Sequence, residues 1–150
     1  MRVSEICNRD AAIIGKLDTI PAAAACMRDF HVDYLVVVES VGGINIPVGT
    51  MTDRDIVVNL IASNIELDGI TVGDVMATPL LLVDEQDSVI NTLKRMRHQC
   101  CQHVPVVKSN GALSGILSIE NIIDMLAEQF NHIGYILNQD EYFSYHHKTA

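Results

Sequence analysis

The second half of the chain repeats the first, and this constrains the fold more than any other feature. Val3-Ser4-Glu5-Ile6-Cys7 returns as Val72-Gly73-Asp74-Val75-Met76, an offset of 69 residues. At the same offset Tyr34-Leu35-Val36-Val37-Val38 returns as His103-Val104-Pro105-Val106-Val107. Gly49-Thr50-Met51-Thr52-Asp53-Arg54-Asp55 then returns as Gly115-Ile116-Leu117-Ser118-Ile119-Glu120-Asn121, at an offset of 66. The difference falls in a turn: residues 39–47, with Gly42-Gly43, are more numerous than residues 108–113. Loops absorb such length changes. A unit of this size buries its apolar face poorly alone, so two of them are expected to share one compact body.

Each unit reads in the same order. A polar start leads to a short apolar strand, at residues 11–15 or 79–83. A helix follows. In the first unit Pro21 stands near its start, ahead of residues 22–25, all alanine. In the second, Asp87 or Ser88 caps it, and Val89, Ile90, Leu93 and Met96 line one face. Then come a strand (residues 34–38 or 103–107), a turn, a third strand and a last helix. That last helix carries Ile56, Val57, Leu60 and Ile61 on one face in the first copy, and Ile119, Ile122, Ile123 and Leu126 in the second. The reading is therefore an α/β (α+β) fold, β-α-β-β-α twice, packed sheet to sheet. Residues 1–67 and 70–127 form the units, and residues 128–150 form a separate aromatic tail or helix. The tail holds Phe130, Tyr135, Tyr142, Phe143 and Tyr145, which suits packing of a last helix, or docking on the module or on a second chain. His146-His147, a pair without further ligands, is expected to be exposed and idle.

The chemistry concentrates where the third strand meets the last helix. Thr52 as N-cap accepts from the backbone N–H three residues on, and Asp55 reaches back to Thr52. That arrangement caps a helix whatever else it does. It also suits a nucleotide: a helix N-terminus favours phosphate, Thr52 adds a hydroxyl, Arg54 a cation, and Asp55 an acceptor for a sugar diol. The second copy has Ser118, Glu120 and Asn121 at the matching places.

Composition narrows the classes. The net charge of −9 offers no basic stripe for nucleic acid. It also opposes anions at long range, so a nucleotide must be held by short contacts in a pocket. No apolar run approaches the ~18 residues of a membrane span, and no basic-then-apolar segment opens the chain; a cytoplasmic protein is expected. Cys7, Cys26, Cys100 and Cys101 fit no zinc spacing and are expected to be reduced. His31, His98 and His103 are scattered, no nucleophile–base set stands out, and neither catalysis nor a metal centre is expected.

The doubled unit resembles the CBS domain pair, or Bateman module. The resemblance rests on Val72-Gly73-Asp74-Val75-Met76-Ala77-Thr78-Pro79, on Gln102-His103-Val104-Pro105-Val106-Val107, on Gly115-Ile116-Leu117-Ser118, and on residues 49–55; it covers about residues 1–127. It implies a regulatory, non-catalytic module that needs no cofactor, works as a homodimer, and signals to an effector protein. The ligand it implies is an adenosine compound (AMP, ADP, ATP or S-adenosylmethionine) in clefts between the repeats. The family motif Gly-x-x-Thr/Ser-x-x-Asp is complete at Gly49, Thr52 and Asp55. Thr52 would touch ribose or phosphate, Asp55 the ribose and Arg54 a phosphate. Leu80, Leu81 and Leu82 would flank the base, with Gln102 and His103 near the phosphates. A second, weaker site would use Ser118, Asn121, Cys7, Ala11, Ala12, Val32 and Asp33. There Asn121 replaces the Asp and Glu120 replaces Arg54, so a less anionic ligand or none is expected. The alternative is a structural or protein-interaction module with vestigial clefts.

Overall fold

A computed structural model describes the backbone of residues 1–147 and the side chains through residue 138. It contains two three-stranded sheets of identical topology. In the first, β1 (Ile13–Gly15) pairs parallel with β2 (Tyr34–Val41), which pairs antiparallel with β3 (Ile44–Thr52). In the second, β4 (Val83–Asp84), β5 (His103–Val107) and β6 (Leu113–Ser118) repeat that order. The parallel pairs are bridged by helices α1 (Ile20–Phe30) and α3 (Val89–Gln99), the crossover that parallel pairing requires. The sheets meet along β3 and β6.

Local chemistry explains most boundaries. Thr19 caps α1 by accepting from the Ala22 N–H at 3.2 Å, with Pro21 in the first turn where no donor is lost. On α3, Ser88 is the N-cap but makes no side-chain cap bond; Asp87 instead accepts from the Asp84 N–H and pairs with Arg95 at 3.1 Å. Both helices end on a left-handed residue other than glycine, His31 and Cys100.

Two cores result. One joins Ile20, Met27, Leu35, Met51, Leu60 and Val72; the other joins Val3, Val83, Val89, Met96, Val104, Leu117 and Ile122. Val3 and Val72 have changed sides. The opening turn of each repeat packs into the core of the other. Val3 and Ser4 donate to the carbonyls of Asp87 and Glu85, and Val72 and Gly73 donate to those of Asp18 and Lys16. Arg9 adds an ion pair to Glu85 at 3.2 Å and a bond to the Ser114 hydroxyl. The halves are thus interlocked rather than simply stacked.

Several expectations are corrected. Residues 79–82 are not strand; β4 begins only at Val83. β1 begins at Ile13 rather than residue 11. The segment after Thr52 is a π-helix, Asp55–Ile61, with the Ala62 N–H bonded to Val57 O. Its buried face is Ile56 and Leu60 alone, because Val57 and Ile61 turn outward. Ile90 on α3 likewise faces solvent. The tail is no separate element: α4 runs unbroken from Ile119 to His147. It does not fold back on the module, since Phe130 is 71% exposed. Tyr142, Phe143, Tyr145 and the His146-His147 pair lie outside the described side chains.

Candidate functional site

Two clefts open between the repeats. The larger, ≈ 630 Å³, is built from the end of β3 and its following turn in the first repeat and from residues 77–81 and 99–103 of the second. Its size lies in the range of ligand pockets, about 300–1,000 Å³. Of the residues named from the sequence, Thr52, Arg54, Asp55, Leu80, Leu81, Gln102 and His103 line it. Leu82 does not; its carbonyl accepts from Arg95 at 2.7 Å, outside the cleft.

The Thr52–Asp55 pair closes a reciprocal cap. The Asp55 N–H donates to Thr52 Oγ1 at 3.1 Å, and the Thr52 N–H donates to Asp55 Oδ2 at 2.9 Å. The three-residue spacing makes this closure local and therefore legible in sequence. Asp55 keeps Oδ1 without a partner among the described residues, so an acceptor remains on the cleft. Arg54 is exposed and, among the described residues, makes no ion pair. The cleft thus presents a carboxylate acceptor, a cation, a hydroxyl already turned inward, and an apolar wall of Leu80 and Leu81.

The smaller cleft, ≈ 220 Å³, is lined by Ala12, Val32, Asp33, Ser118 and Asn121, all expected, together with Asn8, Asp10, His31 and Ile116. Cys7 and Ala11 do not line it. Cys7 packs against the second core, where burial pushes its thiol pKa up. That displacement follows from the exchanged opening turn, which aims Asn8 rather than Cys7 at the cleft. The cap is rebuilt with different chemistry. Asn121 Oδ1 accepts from both the Ser118 N–H (3.0 Å) and the Ser118 hydroxyl (3.1 Å). Both acceptor sites of that oxygen are used, leaving the amide NH₂ as the group Asn121 can offer. Glu120 does not line the cleft; its own backbone N–H holds its carboxyl below the usual range.

One wall belongs to both clefts. Tyr34 and His103, equivalent residues of the two repeats, stack with centroids 4.6 Å apart and rings inclined by 26°. With Asp33 they line both cavities. Burial pushes the Tyr34 phenol pKa well up, only partly offset by a hydrogen bond to Thr50, so the ring stays neutral. Sequence reading missed Tyr34. The offset of 69 marks it as His103's equivalent, and residues opening equivalent strands are the ones that meet on a pseudo-two-fold axis. It also missed Cys100 and His31: the two left-handed helix-end residues line the large and the small cleft respectively.

Among the described residues no group of three or more His, Cys, Asp or Glu could hold a metal ion, and no helix is long and apolar enough to cross a membrane.

The chain is 27% identical over 82% of its length to an uncharacterized protein of Methanopyrus kandleri and spans 61% of that protein. Its fold superposes on the crystal structure of Hypoxic Response Protein I, which has two coordinated zinc ions, with a TM-score of 0.72, 26% identity, and coverage of 83% of this chain and 98% of that one. A CBS domain protein from Pyrobaculum aerophilum complexed with AMP superposes with a TM-score of 0.71 at 29% identity, covering 81% of this chain and 89% of that one. The CBS domain family model matches residues 3–62 and again 72–128. Repeat, topology and match agree: the chain belongs to the CBS domain family and is a CBS pair.

Proposed function

We propose that this CBS pair is a regulatory module that binds an adenosine nucleotide, AMP foremost, in the larger cleft and signals occupancy to a partner protein. The observation carrying this reading is the convergence of Thr52, Arg54 and Asp55 from one repeat with Leu80, Leu81, Gln102 and His103 from the other around ≈ 630 Å³. The AMP-complexed Pyrobaculum relative supports it. In this reading Asp55 accepts from the ribose hydroxyls, with Thr52 beside it; Arg54 pairs with the phosphate, which Gln102 and His103 also approach. Leu80 and Leu81 hold the base. The segment after Thr52 is a short π-helix, so the phosphate is held by the guanidinium more than by a helix dipole. A ligand touching both repeats has differential affinity for their relative arrangements, which is the physical content of a signal. No step of this reading is catalytic, no cofactor is needed, and the module works in the cytoplasm.

Titration calorimetry with AMP, ADP, ATP and S-adenosylmethionine tests the proposal. AMP is expected to bind the wild-type chain, and Asp55→Ala is expected to lower its affinity by at least tenfold while Asn121→Ala leaves it nearly unchanged. A wild-type chain that binds none of the four overturns the sensor reading. Loss confined to Asn121→Ala overturns the choice of cleft.

A further inference from the structure

The wall of the larger cleft holds three carboxylates, Asp33, Asp53 and Asp55, against one guanidinium, Arg54. Asp55 has a task in the fold, since it closes the cap on Thr52. Asp33 and Asp53 have no such task. Among the described residues neither enters an ion pair, and the Asp33 carboxylate makes no hydrogen bond. Asp53 uses one oxygen, Oδ1, which accepts from the Arg54 N–H at 2.6 Å. The backbone holds the two acids together: the Asp53 N–H donates to the Asp33 carbonyl at 3.0 Å.

The second repeat makes the same bond without the charges. The Ile119 N–H donates to the Gln102 carbonyl, also at 3.0 Å. Offsets of 69 and 66 make Gln102 the equivalent of Asp33, and Ile119 that of Asp53. One backbone arrangement therefore forms with or without carboxylates at these places. Packing and chain direction do not account for Asp33 and Asp53.

We infer that Asp33 and Asp53 set the number of phosphates that the larger cleft accepts, admitting a nucleoside monophosphate and disfavouring di- and triphosphates. The inference rests on the reading of that cleft as an adenosine nucleotide site. Arg54, exposed and in no ion pair among the described residues, can neutralise one phosphate group. Each further phosphate brings negative charge toward Asp33 and Asp53, and the wall offers no second Lys or Arg. Like charge placed against the wrong ligand is a general source of specificity. The volume, ≈ 630 Å³, lies well inside the range of ligand pockets and does not itself single out a monophosphate. Both carboxylates are exposed, so each is expected to count a few-fold, and salt is expected to weaken the effect.

Titration calorimetry with AMP, ADP and ATP tests this, in a chelator so that no divalent cation bridges phosphate and carboxylate. The wild-type chain at low salt is expected to bind AMP about tenfold tighter than ATP, with ADP between them. Raising salt to about 0.5 M is expected to narrow the AMP-to-ATP ratio roughly threefold, which exclusion by size would not do. Asp33→Asn/Asp53→Asn is expected to narrow the ratio about fivefold at low salt, mainly by tightening ATP, and each single variant to give part of that change. The double variant is expected to keep the wild-type urea midpoint, as the uncharged equivalents Gln102 and Ile119 foretell. Glu39→Gln removes an exposed charge from β2 outside both clefts and is expected to leave the ratio unchanged. A wild type that binds ATP as tightly as AMP, or more tightly, overturns the inference. So does a ratio unmoved by salt, a double variant that keeps the wild-type ratio, or a Glu39→Gln chain that narrows it equally. Those outcomes leave AMP bound and the reading of the cleft in place. A wild type that binds none of the three nucleotides overturns that reading and this inference together.

Discussion

The two clefts are built on one backbone plan and differ in the polarity of what they offer. In each, a residue at the end of the third strand caps the following turn with a partner three residues later. In the larger cleft that partner is Asp55, which keeps an acceptor oxygen; in the smaller it is Asn121, whose oxygen is saturated and whose remaining group is a donor. Both clefts share Asp33; the larger adds Asp53 and the cation Arg54, whereas the smaller adds Asp10 and has no Lys or Arg on its wall. Duplication thus conserves geometry while a few side chains reverse the chemistry. In the proposed reading the ribose diol and phosphate go to the first cleft; the second, at ≈ 220 Å³, is the smaller and lacks a guanidinium.

The sharpest way to break the comparison is at the glycines beneath the two caps. A Cβ on Gly115 would strike the backbone carbonyl of Asn8, which exchanges two 2.8 Å hydrogen bonds with Ile116 and cannot retreat alone. A Cβ on Gly49 would come nearest to the Met76 side chain, whose outer atoms can swing away although its Cβ stays close. Gly115→Ala is expected to cost about 3 kcal/mol in urea denaturation, and Gly49→Ala about 1 kcal/mol. Equal losses would show that the two crossings are equally rigid.

The next contrast is the cap itself. Asp55→Asn gives the larger cleft the smaller one's chemistry. Because Asn also caps well, stability is expected to hold, while AMP affinity in calorimetry falls about tenfold as a charge-assisted bond is lost. Unchanged affinity would remove the ribose role from Asp55. Arg54→Glu copies Glu120; it is expected to weaken AMP by somewhat less than tenfold and to leave adenosine unaffected, since only the phosphate feels the charge. A parallel loss for adenosine would mean that the variant disturbs the cleft rather than its electrostatics.

The cores offer a smaller contrast. Ala23 in the first has Thr92 as its equivalent in the second, 1% exposed, with Oγ1 unpartnered among the described residues. Thr92→Val removes a buried polar atom that has no hydrogen bond and is expected to raise stability by about 1 kcal/mol. A loss instead would imply a bound water at that hydroxyl. The gentlest probe is thiol alkylation. Cys100 is exposed on the larger cleft, whereas burial raises the Cys101 thiol pKa and thins its thiolate. Iodoacetamide at mildly alkaline pH is expected to modify Cys100 first, and AMP to slow that reaction. Modification of Cys100 at one rate with and without AMP would place the nucleotide elsewhere.

Legibility followed the range of the interactions. Both caps were readable, because a bond between residues three apart needs no knowledge of the rest of the chain. Strand β5 was readable to the residue, being a buried run closed by polar neighbours. Periodicity puts Val57, Ile61, Ile90, Ile123 and Leu126 on apolar faces but does not give the width of the buried part; all five are exposed, and in the first repeat the π-helix narrows that face further. Cys7 lies off the smaller cleft because of the exchange of opening turns between repeats, a contact across most of the chain, whereas the Leu82 carbonyl is drawn away by Arg95, and Ala11 simply lies off the wall.

Taken alone, the sequence determined the duplicated unit, its order of elements, the two capped turns and the charge difference between them, since each rests on neighbours within a few residues. Tertiary structure decided which halves of which repeats face one another, that Tyr34 and His103 form a shared wall, that one cavity is nearly three times the other, and that α4 leaves the module with apolar side chains uncovered. These depend on distances between residues remote along the chain, which local patterns do not encode.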